Sequence, residues 1–128
     1  MDRYVLTTDL RDDPAIVAAY RNYHAEAWPE VVASLRNAGV REMEIYLLGR
    51  RLVMILELVE GANLADVIAR HAASSERVAE WERMMKGFQQ APPDAGPSGW
   101  WARMEPVFHL SGEPASAPST AADALHMP

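Results

Sequence analysis

Two adjacent segments, "REMEIYLLG" (41–49) and "RRLVMILELVE" (50–60), give the clearest indication of the architecture of this chain. In both segments apolar side chains recur at every second position, as Met43 and Ile45 do in the first. This alternation is typical of strands that bury one face. Gly49 lies at a tight connection between the segments, which predicts an antiparallel hairpin. The alternation leaves open which face of the sheet carries Tyr46.

The sequence before the hairpin predicts one strand and then a long helical region. "RYVLTTDL" (3–10) is short and rich in residues that favour strands. "DDPAI" (12–16) follows, and one of its aspartates is predicted to cap a helix whose first turn accepts the proline. The helical region ends at Gly39, which readily takes the left-handed conformation of a helix end. Pro29 interrupts the region, which predicts either a kink or two helices that abut at Trp28.

The sequence after the hairpin predicts two helices and a final strand. Residues 63–73 and 75–90 carry apolar side chains at helical spacing. "APPDAGPSG" (91–99) is rich in residues that break regular structure and predicts a loop. "WWARMEPVFHL" (100–110) is predicted to be the last strand, and Pro106 indicates that this strand lies at an edge or contains a bulge.

The order of these elements predicts an α+β fold of the ferredoxin-like βαββαβ class, with an antiparallel sheet and helices on one face. The other face of such a sheet remains uncovered, so we expect a homodimer, an assembly of the dimeric α/β-barrel type. Residues 1–110 are predicted to form the domain. Residues 111–128 are rich in Ala, Ser and Pro, lack the apolar side chains that a core requires, and are predicted to be a disordered tail.

The composition narrows the classes of function. The chain has 128 residues and a net charge of −6, with no basic stripe, which argues against a nucleic-acid partner. Cysteine is absent, which fits a reducing compartment. The N-terminus lacks the pattern of a signal peptide, and the apolar runs are shorter than the roughly 20 residues that span a bilayer. We therefore predict a cytoplasmic protein without a membrane partner.

The stretch "AYRNYHAEAWPEV" places groups that exchange protons on the inward side of a helix. At about 100° per residue, Tyr20 and His24 share one stripe with apolar residues, and the stripe consists of Ile16, Tyr20, His24, Ala27, Val31 and Leu35. One hypothesis is that they are core aromatics with a satisfied histidine, because aromatic stripes at helical spacing usually pack. The other hypothesis is a sugar pocket, in which indoles stack on the sugar ring and a histidine performs acid–base chemistry.

Other kinds of chemistry find little support in the sequence. The four histidines (His24, His71, His109 and His126) are far apart, and none has a partner at the spacing of a metal site. Nucleophile motifs and phosphate-binding glycine loops are also missing. We therefore predict neither a metal nor a cofactor. What remains is an aromatic and imidazole set, which comprises Tyr20, His24, Trp28, Tyr46, Trp81, Trp100 and Trp101.

The spacing Y-x-x-x-H-x-x-x-W-P-E, present here as "YRNYHAEAWPE" from residue 20 to residue 30, resembles the signature of the L-rhamnose mutarotase family. "EIYL", "EW" and "MEPVFHL" follow in the family's order, so the resemblance covers roughly residues 3–110. It implies a small dimeric enzyme that interconverts the anomers of a 6-deoxyhexose without a cofactor. By the same resemblance His24 is the general acid, Tyr20 and Tyr46 are substrate-binding phenols, and Trp81 is the stacking indole.

One departure from the family pattern bears on the substrate. Rhamnose enzymes of the family tend to carry two consecutive tryptophans where this chain has Trp81 and Glu82, so L-fucose joins L-rhamnose as a candidate. Glu82 and Trp28 are predicted substrate-binding residues, although a solvent-facing Glu82 is an equal possibility. Two alternatives stay open. One is a cofactor-independent monooxygenase of the same dimeric fold, and the other is a non-catalytic sugar-binding module.

Overall fold

The computed structural model describes residues 3–95 and 101–110, and its centre is an antiparallel sheet. The strands are β1 (Arg3–Leu10), β2 (Val40–Leu48), β3 (Arg51–Leu58), β4 (Gln89–Gln90) and β5 (Ala102–Arg103). Their order is β2-β3-β1-β4, and β5 also pairs with β1. This order, with two helical segments between the strands, confirms the predicted ferredoxin-like α+β class.

Four helices connect the strands: α1 (Pro14–Ala25), α2 (Pro29–Ala38), α3 (Leu64–Ala72) and α4 (Glu76–Phe88). Asp13 caps α1 by accepting a hydrogen bond from the Ala15 amide at 2.9 Å. Trp28 is extended, with a ψ of 132°, and Pro29 begins a new helix. Of the two predicted outcomes at Pro29, the structure therefore has two separate helices. Gly39 ends α2 with a φ of 119°, as predicted.

The hairpin alternation assigns each side chain of β2 and β3 to one of two faces. The inner face carries alternate apolar residues that pack beneath the helices, namely Met43, Ile45, Leu47, Leu52, Met54, Leu56 and Leu58. β1 adds Leu6 and Leu10 to this core. Tyr46 lies on the opposite face, opposite Val53 in the register, and 55% of its surface is exposed. The sequence left that choice open.

The final strand is shorter than predicted. Within the described part of 100–110, only Ala102 and Arg103 pair, with Thr7 and Leu6 of β1. Residues 104–110 form no strand and expose Val107 and Phe108. A two-residue strand directly after α4, β4, pairs with the end of β1 instead. The sequence prediction of one continuous strand is wrong because the edge of β1 is shared between two short segments. Trp100 and the tail 111–128 lie outside the described residues.

Candidate active site

A cavity of about 520 Å³ lies between the helices and the inner face of the sheet. Small-molecule sites in proteins typically measure about 300–1,000 Å³ and combine apolar walls with a few polar groups. The predicted stripe supplies much of one wall, through Tyr20, His24, Ala27, Val31 and Leu35. The inner face of the hairpin supplies the opposite wall, including Met43, Ile45 and Met54. The stripe therefore faces a space that a small molecule could occupy.

His24 stands at the end of α1 with a defined tautomer. Its ring stacks on Tyr20, with 4.1 Å between the ring centroids. Its Nδ1 lies 3.0 Å from the Tyr20 carbonyl oxygen. Because a carbonyl oxygen only accepts, Nδ1 carries the hydrogen, and Nε2 of the neutral ring keeps its lone pair. Burial lowers the pKa of His24, and the hydrogen bond to the carbonyl offsets part of that effect. Burial thus favours a neutral ring, and the hydrogen bond fixes its hydrogen on Nδ1.

The pKa of Tyr20 is shifted upward, whereas that of His24 is shifted downward, and the Tyr20 phenol stays protonated. Burial raises the pKa of its phenol well above the ordinary value, and the negative charge of Glu82 adds to the increase. Desolvation and a nearby like charge both disfavour the phenolate. Tyr20 therefore presents a neutral hydroxyl, which is a hydrogen-bond donor, next to a histidine that presents a lone pair. A base and a donor one helical turn apart are suited to binding two oxygens of one substrate.

Trp81 forms part of the cavity and is also a core residue. Only 4% of its surface is exposed. Its ring makes edge contacts with Trp28 at 5.0 Å, His24 at 5.3 Å and Tyr23 at 6.2 Å between centroids. Trp28 is not among the residues that line the cavity in the described chain, and it supports Trp81 from behind. The guanidinium of Arg77 lies 3.5 Å above the Trp28 ring.

Glu82 is among the residues that line the cavity, and its side chain keeps 40% of its surface exposed. Its Oε2 lies 3.4 Å from Nε2 of His71, a residue of α3. His71 is 7% exposed and also contacts the cavity. From the sequence, His71 is a candidate only as a metal ligand, so its position in the cavity is not predicted. The spacing of Val67 and His71, four residues apart on α3 and both buried, is the signal that would have placed His71 on the inward face.

The structure brings together Tyr20, His24, Trp81 and Glu82, but it does not bring Tyr46 to them. The Tyr46 phenol lies on the outer face of the sheet. Consecutive residues of a strand point to opposite faces, and the neighbouring Ile45 lines the cavity instead. Trp101 does line the cavity.

Two further observations concern the described part of the chain. Within 3–95 and 101–110, His, Asp and Glu side chains nowhere gather in threes in a way that would hold a metal ion. None of the four helices has the length and apolar character that crossing a bilayer requires.

Comparisons with known proteins identify the family of this chain. A family model described as L-rhamnose mutarotase matches residues 3–110. An L-fucose mutarotase from Xanthomonas campestris is 42% identical over 113 residues, which cover 87% of this chain and 90% of the relative. An L-rhamnose mutarotase from Acidiphilium cryptum is 31% identical over 104 residues, which cover 77% and 89% of the two chains.

A solved structure shows the same fold. The crystal structure of an L-rhamnose mutarotase from Formosa agariphila superposes with a TM-score of 0.61 at 24% identity, covering 87% of this chain and 100% of the other. The family model spans all of the described residues, and two of them, Tyr20 and His24, lie on the cavity wall. The chain belongs to the L-rhamnose mutarotase family.

Proposed function

We propose that this mutarotase interconverts the α and β anomers of L-fucose in preference to L-rhamnose, without a cofactor. Two observations support L-fucose. The L-fucose mutarotase relative is 42% identical to this chain, whereas the L-rhamnose mutarotase from Acidiphilium cryptum is 31% identical. The carboxylate of Glu82 also faces the cavity and offers a partner to a sugar hydroxyl, which an indole at that position would not.

The proposal rests on Tyr20 and His24, which lie together on the cavity wall. The pKa of Tyr20 is raised and that of His24 is lowered, so a neutral phenol lies beside a neutral imidazole. In ring opening, Nε2 of His24 removes the proton of the anomeric hydroxyl. The bond from the anomeric carbon to the ring oxygen breaks, its electrons stay on the ring oxygen, and a second proton donor, a group of the cavity or water, protonates that oxygen. The aldehyde then rotates and closes on its other face, and His24 returns the proton. His24 thus acts as base in opening and as acid in closure. The Tyr20 hydroxyl donates a hydrogen bond to a sugar oxygen.

The walls of the cavity have a binding role in this proposal. Trp81 lines the cavity, but with 4% of its surface exposed it offers the sugar only a small apolar contact. Trp28 contributes indirectly, by fixing the Trp81 ring. Tyr46 has no place in the cavity of its own chain, so the proposal gives it no role there.

The experiment is saturation-transfer NMR on equilibrated solutions of each sugar. We expect the protein to accelerate anomer exchange of both sugars, with a higher kcat/KM for L-fucose. The variant His24→Ala serves as control for exchange that does not depend on the site. Faster exchange of L-rhamnose would overturn the order of substrates.

The same measurements address the two alternatives. Oxygen uptake with a phenolic substrate, in the absence of anomer exchange, would support a monooxygenase. Sugar binding without any exchange would support a binding module, and either result would end the mutarotase proposal.

We also propose that the protein is a homodimer whose subunits meet through the outer face of the sheet. This face exposes Tyr46 and Leu48. In the register Val53 lies opposite Tyr46, and Ile55 lies opposite Glu44. Exposed apolar patches of this kind commonly mark interaction surfaces. Sedimentation at micromolar concentration is expected to give twice the 14.2 kDa of one chain. The variant Ile55→Lys should shift the protein toward the monomer, and a wild-type monomer would contradict the proposal.

We place the end of the folded domain at residue 110, where the family match also ends. We also propose a cytoplasmic location, because a sequence without cysteine fits a reducing compartment.

A further inference from the structure

Four groups of the helical layer form a connected chain of contacts that begins at the cavity. Oε2 of Glu82 lies 3.4 Å from Nε2 of His71. On the other side of the ring, Nδ1 of His71 lies 2.8 Å from Oγ of Ser34. Oγ of Ser34 lies 2.7 Å from Oγ of Ser74, and Oγ of Ser74 lies 2.8 Å from the backbone carbonyl of His71. His71 and Ser34 are buried.

The last contact in this chain fixes the direction of all the hydrogen bonds. A carbonyl only accepts, so Ser74 donates its single hydroxyl hydrogen to the His71 carbonyl. Ser34 must therefore donate to Ser74, because Ser74 has no second hydrogen. The hydrogen of Ser34 is then used, so the bond between Ser34 and His71 requires Nδ1 of His71 to be the donor.

The direction of these hydrogen bonds determines the state of Nε2 of His71, the ring nitrogen on the cavity side. A neutral imidazole carries one N–H, and in His71 that hydrogen is on Nδ1. Nε2 would then face the Glu82 carboxylate with a lone pair, which places two acceptors against each other at 3.4 Å. A proton between them, either on Nε2 as an imidazolium or on the carboxyl group, turns this contact of two acceptors into an attractive one. The arrangement of the serines therefore favours a proton that His71 and Glu82 share.

We propose that Glu82 is the second acid–base group of the reaction, complementary to His24, and that His71 holds Glu82 through the shared proton. This inference rests on the proposed mutarotase function. The two groups differ in access: the Glu82 side chain keeps 40% of its surface exposed, whereas that of His71 keeps 9%. Glu82 is thus the group within reach of a bound sugar, and His71 is a positioning residue.

With these groups, every proton that is transferred in ring opening and ring closure has a donor and an acceptor. In ring opening, His24 takes the proton of the anomeric hydroxyl, and the electrons of the breaking carbon–oxygen bond remain on the ring oxygen. The shared proton moves from the pair to that ring oxygen, which leaves Glu82 as a carboxylate and His71 as a neutral imidazole. In ring closure the new hydroxyl attacks the other face of the carbonyl and its proton returns to the pair. His24 gives its proton back to the anomeric oxygen, and every group regains its initial state.

The first test is the variant Glu82→Gln. The Gln amide donates a hydrogen bond to Nε2 of His71, so the contact and the fold are kept, but the shared proton is lost. We expect kcat to fall by about 100-fold or more with little change in KM, because general acid–base help typically contributes about 10²–10⁴-fold. Glu80→Gln is the matched control on the same helix. Glu80 is exposed and pairs with Arg77 at 3.4 Å, so this variant should keep the wild-type kcat.

A second variant, Ser34→Ala, tests the role of the serines. Without the Ser34 acceptor, His71 is free to move its hydrogen to Nε2 and to donate to the carboxylate, which removes the need for a shared proton. We expect a smaller fall in kcat than in Glu82→Gln. Wild-type kcat in Glu82→Gln, measured with an enzyme that does exchange anomers, would overturn the inference and leave the mutarotase function intact.

NMR of the sugar-free protein provides a readout that does not depend on activity. The nitrogen shifts of His71 should show a hydrogen on Nδ1 at neutral pH, together with a proton either on Nε2 or on a carbon-13-labelled Glu82 carboxyl. Ser34→Ala should move the hydrogen of the ring to Nε2. A deprotonated Nδ1 in the wild type, or an unprotonated Nε2 facing an ionised Glu82, would overturn the inference even if the protein proves to be an active mutarotase.

Discussion

The variant His24→Ala is expected to lose anomer exchange by about 10²–10⁴-fold in kcat, which is the usual contribution of a positioned acid–base group. The physical reason is the lone pair on Nε2, which the hydrogen bond from Nδ1 to the Tyr20 carbonyl leaves available to the substrate. No other described side chain on α1 offers a neutral base to the cavity. Saturation-transfer NMR with L-fucose measures the rate directly.

The stability of the same variant separates a catalytic role from a structural one. Removal of the ring loses its stacking on Tyr20, and aromatic pairs contribute about 0.5–1.5 kcal/mol. The thermal midpoint should therefore fall only modestly. His109→Ala is a matched control, because His109 is exposed and lies outside the cavity. A large fall in midpoint with an unchanged rate would mean that His24 is a core histidine.

The variant Trp81→Ala is expected to lower the free energy of unfolding by about 3–5 kcal/mol, as truncation of a buried Trp typically does. The indole is almost fully covered and contacts the rings of Trp28, His24 and Tyr23, so its loss leaves a void among them. Denaturant unfolding measures this loss. Since domains are stable by about 5–15 kcal/mol, the variant approaches the limit of folding.

A conservative variant tests the binding role of the same residue. Trp81→Phe keeps an aromatic ring in the core, so most of the stability should remain. The smaller ring offers less surface to the sugar, and contacts made equally in the ground and transition states appear in KM. We expect KM to rise and kcat to stay close to wild type. If Trp81→Ala unfolds at the wild-type denaturant concentration, Trp81 is a cavity wall without a core role.

The sequence predicts the fold class and the wall of the cavity because both depend on local periodicity. Tyr20 and His24 are one helical turn apart whatever the rest of the chain does, so their shared direction is readable from spacing. Pro29 similarly ends one helix and begins another by its own geometry. The family motif includes these same residues, and it predicts the family and the mutarotase activity correctly.

The rest of the site depends on how distant elements meet. Ser34 and His71 are 37 positions apart and come together only because α2 packs against α3. Whether Glu82 faces the cavity depends in the same way on how α4 sits on the sheet. The face of Tyr46 depends on which side of the hairpin the helices cover, and apolar residues at both Leu47 and Leu48 leave the alternation ambiguous there.

The hairpin also limits how the length of this chain can change during evolution. Ile45 lines the cavity and its neighbour Tyr46 lies on the outer face, so adjacent positions serve two unrelated surfaces. One inserted or deleted residue within β2 would exchange the faces of every position beyond it, which would alter the cavity and the outer surface together. Substitutions, by contrast, affect one surface at a time. Tolerated insertions in this region are therefore expected at the turn of Gly49 and Arg50, or at the register shift between Val40 and Glu42.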